Sequence, residues 1–301
     1  MTAPTFPLVP RRRVSGLAFG GLRSVRRGSG SDVAGSRPYR PGDPVDRIDW
    51  AASARLSLAR GEDAFVVREA YAEEAPRVVV LADRRPAMSV FPEGWPWLSK
   101  PAAIRACVRA IADSARASRG YVGFLDHGDG SRFWQPARSE REVGRRELER
   151  PFRAPEATLV EGLAFLGEQR RDLPAGTFLF VLSDFVPAPP RDVWLRAQEH
   201  RWDVVPVVIQ DPVWEQSFPD VGGIVVPFAD PATGKPVLLG LTEREAAERR
   251  ERNEARLAEL LARFRALDLE PVLVGSSDPR EVAAAFLGWA ERRAFARGGK
   301  L

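Results

Sequence analysis

The sequence predicts an α/β protein whose mainly parallel sheet carries helices on both faces. Residues 77–83 and 177–184 are two apolar runs that each end in an aspartate. Continuous apolar runs of this length are typical of parallel strands that are buried on both sides. Amphipathic helical patterns alternate with such runs along the chain. This alternation favours a parallel sheet between two layers of helices.

The predicted elements follow one another in a regular order. Strands are expected at residues 64–71, 77–83, 121–125, 132–135, 177–184, 204–209, 223–228, 236–241 and 271–274. Helices are expected at residues 100–116, 138–150, 158–170, 191–200, 243–267 and 279–296, and the fifth begins with a capping box of Thr242 and Glu245. We divide the chain into a basic and signature segment at residues 1–75 and an α/β domain at 76–298, with a β-hairpin insertion at 211–241.

The composition is that of a globular protein. Of the 301 residues, 44% are hydrophobic and 29% are charged, which is enough to bury a sizeable core. The net charge is +4, but residues 1–60 hold eleven arginines against four aspartates. Such a basic end suits nucleic acid or an acidic partner. It contains no base-reading motif, so nucleic-acid binding is not favoured.

Cysteine usage and hydropathy bear on the compartment. Cys107 is the only cysteine, which leaves no disulfide framework and no thiolate metal cluster. Its place among apolar residues at helical spacing predicts a core position. No apolar run reaches the roughly 20 residues of a membrane helix. We therefore expect a cytoplasmic protein without a membrane segment.

Residues 37–55 form the most distinctive stretch, which we call the signature segment. Pro41-Gly42 predicts a type II turn, because proline presets one central residue and glycine accepts the positive φ of the next. Asp43 is expected to cap a helix that has Pro44 at its first position. The packing face of that helix is then made by residues at helical spacing, namely Ile48, Ala51, Ala52 and Arg55.

This segment resembles the bacterial family known as domain of unknown function 58. The residues that carry the resemblance are Arg37, Tyr39, Gly42, Asp43, Ile48, Asp49, Trp50, Ala54 and Arg55. The resemblance implies no established activity, and it implies partnership with a MoxR-type AAA+ ATPase. We expect Asp43, Arg47, Asp49 and Arg55 to form a structural network while Trp50 packs against the sheet. A partner-binding surface is the alternative.

The order of strands and helices also resembles a von Willebrand factor A domain. That resemblance implies a magnesium site at the carboxyl ends of the strands. Asp83, Thr158 and Asp184 match its two aspartates and its threonine, whereas Arg85 and Ala87 replace its two serines. Alanine offers no ligand and arginine is a cation, so magnesium binding is disfavoured. Arg84 or Arg85 is expected to neutralise the aspartates instead.

The roles of a threonine, two tryptophans and two histidines are predicted from their positions. Thr158 and Glu161 read as a capping box, which we take as the main role of Thr158. The aromatic loop with Trp95 and Trp97 either packs under the N-terminal segment or forms an interface. His127 and His200 lack ligand spacing and are expected at the surface.

The leading hypothesis is a non-enzymatic protein-protein interaction or adaptor module that works with a MoxR-type AAA+ ATPase. No nucleophile elbow or cofactor motif is found. A metal-dependent enzyme or metal-gated binding domain, through Asp83 and Asp184, is the alternative. Nucleic-acid binding through the basic end is the third.

Overall fold

The protein is described by a computed structural model over residues 5–11, 17–43, 45–90, 98–138, 148–229, 233 and 235–296. For residues 17–35, 69–74, 226–229, 236 and 239 the description covers the backbone alone. The strands are β1 (Leu17–Pro38), β2 (Val66–Ala75), β3 (Arg77–Ala82), β4 (Tyr121–Asp126), β5 (Phe133–Gln135), β6 (Phe178–Ser183), β7 (Asp203–Ile209), β8 (Ile224–Ala229), β9 (Pro236–Leu241) and β10 (Val272–Val274). The helices are α1 (Trp50–Arg60), α2 (Lys100–Ala117), α3 (Thr158–Glu168), α4 (Arg191–Glu199), α5 (Glu243–Ala266) and α6 (Pro279–Ala296).

A six-stranded sheet in the order β10-β7-β6-β3-β4-β5 organises the fold. Its strands are parallel except for β5, which runs antiparallel to β4. The chain moves outward from β3 to β4 and β5, then returns to β6 on the other side of β3 and continues to β7 and β10. The predicted mainly parallel α/β sheet is confirmed, and its order is compatible with a Rossmann-like fold.

Strand β3 shows why helices cover both faces. Val78 and Val80 belong to one apolar cluster, and Val79 and Leu81 belong to a second one. Helices α2 and α6 contribute to the first cluster, and α3, α4 and α5 contribute to the second. Alternate side chains of a strand point to opposite faces. Full burial of each such side chain stabilises the fold by about 2 kcal/mol, so both helical layers are needed.

The N-terminal residues contribute to the core, which the sequence analysis does not predict. Phe6 is buried and stacks on Phe286 of α6, with ring centroids 4.7 Å apart. The backbone N–H of Arg11 donates to Asp203 Oδ2 at 2.7 Å, and Arg293 Nη1 donates to the carbonyl of Val9 at 3.1 Å. Residues 5–11 are therefore fastened to α6 and to the start of β7.

The signature segment lies against β2, and its predicted turn is confirmed. Gly42 has φ +102°, and the N–H of Asp43 donates to the carbonyl of Arg40 at 3.0 Å. The predicted helix start is wrong. Helix α1 begins at Trp50, because Asp49 accepts the N–H of Ala52 at 3.0 Å and acts as the N-cap. Pro44 lies outside the described residues.

The remaining predicted elements can now be compared with the structure. The strands and helices expected after residue 76 are present, but residues 139–147 of the expected helix at 138–150 lie outside the described residues. Strands β8 and β9 form the expected antiparallel pair, and Thr242 with Glu245 forms the capping box of α5. Strand β1, which pairs antiparallel with β2, was not predicted because its Gly, Ser and Arg content shows no apolar alternation.

Candidate functional site

Two buried aspartates lie at the point between β3 and β6 where the strand order of the sheet reverses. Strands β3 and β6 are parallel neighbours, and Asp83 and Asp184 directly follow them. Their exposed fractions are 0% and 2%. Ligands of open α/β sheets bind in the crevice beyond such strand ends. The candidate site is therefore centred on these two carboxylates.

The guanidinium of Arg85 joins the two carboxylates. Its Nη2 lies 2.6 Å from Asp83 Oδ2 and 2.9 Å from Asp184 Oδ1, and its Nε lies 2.9 Å from Asp83 Oδ2. Nη1 donates to the carbonyl of Val186 at 2.8 Å. The side chain of Arg85 is 1% exposed. The expected neutralisation of both aspartates by an arginine is thus seen in the structure, with Arg85 in that role.

Local backbone hydrogen bonds place these side chains. Asp83 Oδ1 accepts the N–H of Arg85, and Asp184 Oδ1 accepts the N–H of Val186, each two residues further along. Ser183, the last residue of β6, donates its hydroxyl to Asp83 Oδ2 at 2.6 Å. Short side chains that bond their own following backbone close tight turns at strand ends. These turns hold both carboxylates within hydrogen-bond distance of the Arg85 guanidinium.

A second cation, Lys100, extends the network and was missed in the sequence analysis. Lys100 Nζ lies 3.0 Å from Asp184 Oδ2 and 2.5 Å from Glu215 Oε1, with its side chain 1% exposed. It is the first residue of α2, after the N-cap Ser99. A lysine in the first turn opposes the helix dipole. That unfavourable position is the sequence signal that could have pointed to a nearby carboxylate partner.

The network holds both cations in their charged forms. Burial alone would lower the pKa of Arg85, but the hydrogen bond and charge of Asp83, together with Asp184, raise that pKa overall. Burial likewise opposes the charged form of Lys100, whereas Asp184 and Glu215 raise its pKa. Burial raises the pKa of Glu215, against the lowering effect of Lys100. The two cations offset most of the charge of the three carboxylates, so Asp83 and Asp184 are paired groups and not available carboxylates.

Arg84 points to a different carboxylate. Its Nε lies 3.0 Å from Asp126 Oδ2 at the end of β4, and its Nη2 donates to the carbonyl of Leu148. Arg150 Nη1 lies 2.8 Å from the other oxygen of Asp126. Burial is the main reason that the pKa of Arg84 is lowered. Arg84 therefore neutralises Asp126 and not the Asp83–Asp184 pair.

The residues present do not suit a magnesium ion. Magnesium wants about six oxygen ligands in octahedral geometry. Here both carboxylates already bind the guanidinium of Arg85, which is a cation and has donors only. The carbonyl of Ala87 accepts from Lys100 Nζ at 3.3 Å. Within the described residues, no group of three or more His, Cys, Asp or Glu side chains could hold a metal ion.

Thr158 differs from its expected role. It is the first residue of α3, Ala157 is the N-cap, and no side-chain cap bond is formed. The capping-box prediction for Thr158 and Glu161 is therefore wrong, because the threonine lies one position inside the helix. Its side chain is 1% exposed, and within the described residues its Oγ1 has no hydrogen-bond partner. It is the one polar atom of the predicted metal set that is left unsatisfied there.

The signature charges pair with one another and with β2. Arg37 binds Asp43 through two hydrogen bonds of 2.6 Å, and Arg68 Nε lies 2.8 Å from Asp49 Oδ2. The hydrogen bond from Arg37, followed by that from the Arg40 backbone, lowers the pKa of Asp43 to about 2. A network is present, but within the described residues Arg55 forms no ion pair in it, because it is exposed and donates to the carbonyl of Ala51. Its charge makes only a minor contribution to lowering the pKa of Asp49, after the hydrogen bond from Arg68.

Trp50 does not pack against the sheet as expected. Its side chain is 60% exposed, and its ring meets Phe65 edge to face with centroids 6.1 Å apart. Tyr39 contacts Phe65 in the same manner at 6.4 Å. The expectation failed because α1 begins at Trp50, which turns the tryptophan outward at the helix start. Tyr39, Trp50 and Phe65 are called the signature aromatics below.

Within the described residues, no ion pair joins the signature segment to Asp83 or Asp184. The ion-pair partners of Asp83, Arg85 and Asp184 are Glu156, Lys100 and one another. Arg47 is half-buried in the turn that precedes α1. Trp95 and Trp97 lie outside the described residues, so their predicted packing or interface role stays a prediction.

The remaining reactive side chains are not part of this site. Cys107 is buried in the core as predicted, and burial raises its pKa. His127, expected at the surface, is only 9% exposed because it follows the buried end of β4, and burial lowers its pKa. His200 is half-buried and stacks on Trp202. In the part of the chain that the structure describes, no helix is long and apolar enough to cross a membrane.

Comparisons with known proteins identify relatives but no activity. A family model described as "Protein of unknown function DUF58" matches residues 35–259. An uncharacterised protein of Mycobacterium tuberculosis and one of Mycobacterium bovis are each 25% identical to this chain over 240 residues, covering 75% of it and 69% of the relative.

Two solved structures have similar chains. One is a conserved hypothetical protein, BatB, from Bacteroides thetaiotaomicron, with a TM-score of 0.42 and 14% identity over 73% of this chain and 99% of the other. The second is an aerotolerance-related membrane protein from Bacteroides fragilis, with a TM-score of 0.37 and 11% identity over 72% of this chain and 99% of the other.

Proposed function

Since this chain belongs to the family described as protein of unknown function DUF58, we propose that it is a non-enzymatic protein-interaction module of the von Willebrand A type, with a MoxR-type AAA+ ATPase as its partner. The observation that carries the proposal is the exposure of the signature aromatics. Trp50 is 60% exposed and Phe65 is 44% exposed. Exposed aromatic side chains in contact with one another are typical anchors of protein interfaces.

The surroundings of the signature aromatics support a binding role. Trp50, Ala54 and Leu58 follow at helical spacing and are all exposed, Leu58 at 85%, so they form a stripe along α1. Ser53 on another side of α1 is buried and its hydroxyl accepts the N–H of Val66 at 2.9 Å. The helix is thus fixed to β2 while its apolar stripe stays exposed. A fixed stripe loses little entropy on binding.

The buried network supports a role without catalysis. Asp83 and Asp184 are held by Arg85, and burial keeps all three from solvent. A general base must reach a substrate proton within hydrogen-bond distance. Carboxylates already bound to a guanidinium are poorly placed for that task.

The proposal is tested by direct binding to the MoxR-type ATPase of the same organism. We compare the wild-type chain, Trp50→Ala/Phe65→Ala, and the control Phe295→Ala, which removes an aromatic ring that is 86% exposed on α6. Loss of interface anchors is expected to weaken binding by about ten-fold or more, with an unchanged melting temperature. Phe295→Ala is expected to bind normally. Absence of wild-type binding and of any change in ATP turnover would refute the partner.

A metal-gated binding domain is the second candidate. The observation in its favour is the buried hydroxyl of Thr158, whose Oγ1 has no hydrogen-bond partner within the described residues. In that case magnesium should stabilise the wild-type chain, and the effect should disappear in Asp184→Asn. Nucleic-acid binding has less support, because Arg11 is already paired with Asp268 at 2.5 Å and residues 12–16 lie outside the described residues.

A further inference from the structure

A cavity of about 440 Å³ lies beside the buried network. Asp184, Lys100 and Glu215 line one part of it, and arginines of α5 line another. Ala87 and Val186, from the segments that follow β3 and β6, also line it. The cavity therefore opens at the switch point of the sheet, where α/β proteins bind small ligands. Its volume is in the range of small-molecule sites.

Three arginines of α5 place positive charge along the cavity. Arg249, Arg252 and Arg256 are spaced three and four residues apart, which places them on one face over about 10 Å of helix. Arg252 Nε donates to the carbonyl of Glu248 at 3.2 Å, and Arg256 Nη2 donates to the carbonyl of Glu215 at 2.8 Å. In the described part of the chain, none of these three arginines forms an ion pair.

Other arginines of the same helix behave differently. Arg244 lies 2.9 Å from Glu248, and Arg263 lies 2.5 Å from Glu259. Each of these exposed arginines is ion-paired with a glutamate four residues away. Arg249 and Arg252 have a glutamate at the same spacing, but Glu245 is held by the capping box and Glu248 by Arg244. The three cavity arginines thus differ from Arg244 and Arg263 in two ways: they line the cavity, and they form no ion pair within the described residues. The high arginine content of the chain does not explain this difference.

The acids of the cavity do not cancel this charge. Asp184 is bound by Arg85 and Lys100, and Glu215 is bound by Lys100 and by the N–H of Asp211 at 2.8 Å. The buried network of Asp83, Asp184, Glu215, Arg85 and Lys100 therefore keeps only one net negative charge. The three guanidiniums of α5 outweigh that single negative charge, so the surroundings of the opening are positive.

An aromatic wall completes the cavity. Trp214 and Phe218 both line it, and their rings meet at 87° with centroids 5.4 Å apart. Arg249 lies over the Phe218 ring at 5.9 Å. Carbonyls of Trp214 and Ser217 accept from Asn253 of α5, which ties the wall to the arginine face. A ligand in the cavity would therefore contact both the arginines of α5 and the aromatic rings of Trp214 and Phe218.

We propose that this cavity binds a small molecule that carries two or more linked phosphate groups, without a divalent metal. Guanidinium forks match phosphate oxygens through paired hydrogen bonds. Several unpaired guanidiniums along one helix face call for an anion with several closely spaced charges, which linked phosphates supply. The aromatic wall would contact the organic part of such a ligand, as in a nucleotide.

The test is calorimetric titration of the full chain, in EDTA, with sodium pyrophosphate and separately with ATP. Arg252→Ala/Arg256→Ala is compared with Arg244→Ala/Arg263→Ala, which removes the same charge from the same helix outside the cavity. The cavity pair is expected to weaken binding by about ten-fold or more, because each lost charged hydrogen bond is worth about that factor. The control pair is expected to bind like the wild type.

The two probes separate the sources of the phosphate groups. Tighter binding of ATP than of pyrophosphate would indicate that the aromatic wall contacts an organic group, and equal binding would indicate that the phosphates alone are recognised; both support the proposal. No saturable binding of either probe, an equal loss in both variant pairs, or binding only of an oligoglutamate peptide would overturn it. If the double variant fails to fold, Arg252→Ala alone replaces it, since its one described hydrogen bond is within α5. The isolated chain is used, so the result is independent of the ATPase partner.

Discussion

Arginine-aspartate pairs occur both at the carboxyl ends of β3 and β6 and between the signature segment and β2, but their environments are opposite. Arg85 is 1% exposed between Asp83 and Asp184, whereas Arg68 is 58% exposed beside Asp49. A buried carboxylate that loses its partner cannot recover its solvation, whereas an exposed one can. The same chemistry is therefore structural in the first region and shapes an exposed surface in the second.

The largest expected effect comes from removing the buried cation. Arg85→Met keeps the apolar volume but leaves two buried carboxylates without their shared partner, and breaking such a pair costs about 3–5 kcal/mol. Urea unfolding should show this loss in the free energy of unfolding. Arg85→Met/Asp184→Asn should recover part of it. The matched change in the exposed pair, Arg68→Ala, should have a much smaller effect, and equal losses would contradict the comparison.

A smaller effect is expected from the titration of Asp43. Its pKa is about 2 in the folded protein, against 3.8 for an ordinary aspartate. Because the folded pKa is lower, the pair with Arg37 stabilises the fold above pH 3.8, and this contribution is lost as the pH falls toward 2. Carbon NMR of the Asp43 carboxyl should report the low value. In Arg37→Gln the pKa should rise, and an unchanged pKa would show that Arg37 is not its cause.

Most of the sheet domain was predictable because its signals are local. The runs around Val80 and Phe180 are buried on both faces and could form only central strands. The capping box of Thr242 and Glu245 fixed the start of α5 from four residues. Burial patterns and caps depend on nearby sequence, so they need no knowledge of distant contacts.

The site was less predictable because its partners are distant in sequence. Lys100 meets Asp184 and Glu215 from positions 84 and 115 residues away. Phe6 packs on a helix near the other end of the chain. In the signature segment two aspartates competed for the cap, and the choice of Asp49 turned Trp50 outward. Such outcomes depend on tertiary pairing, which spacing alone does not encode.

The central claim is that Arg85 supplies the positive charge between Asp83 and Asp184 that a divalent cation would otherwise supply. The most direct measurement is the melting temperature in EDTA and in millimolar magnesium chloride, with Arg85→Ser/Ala87→Ser as the positive control. We predict no shift for the wild type and an upward shift for the double variant, because a ligand that binds only the folded state stabilises it. An upward shift of the wild type that Asp184→Asn abolishes would contradict the claim.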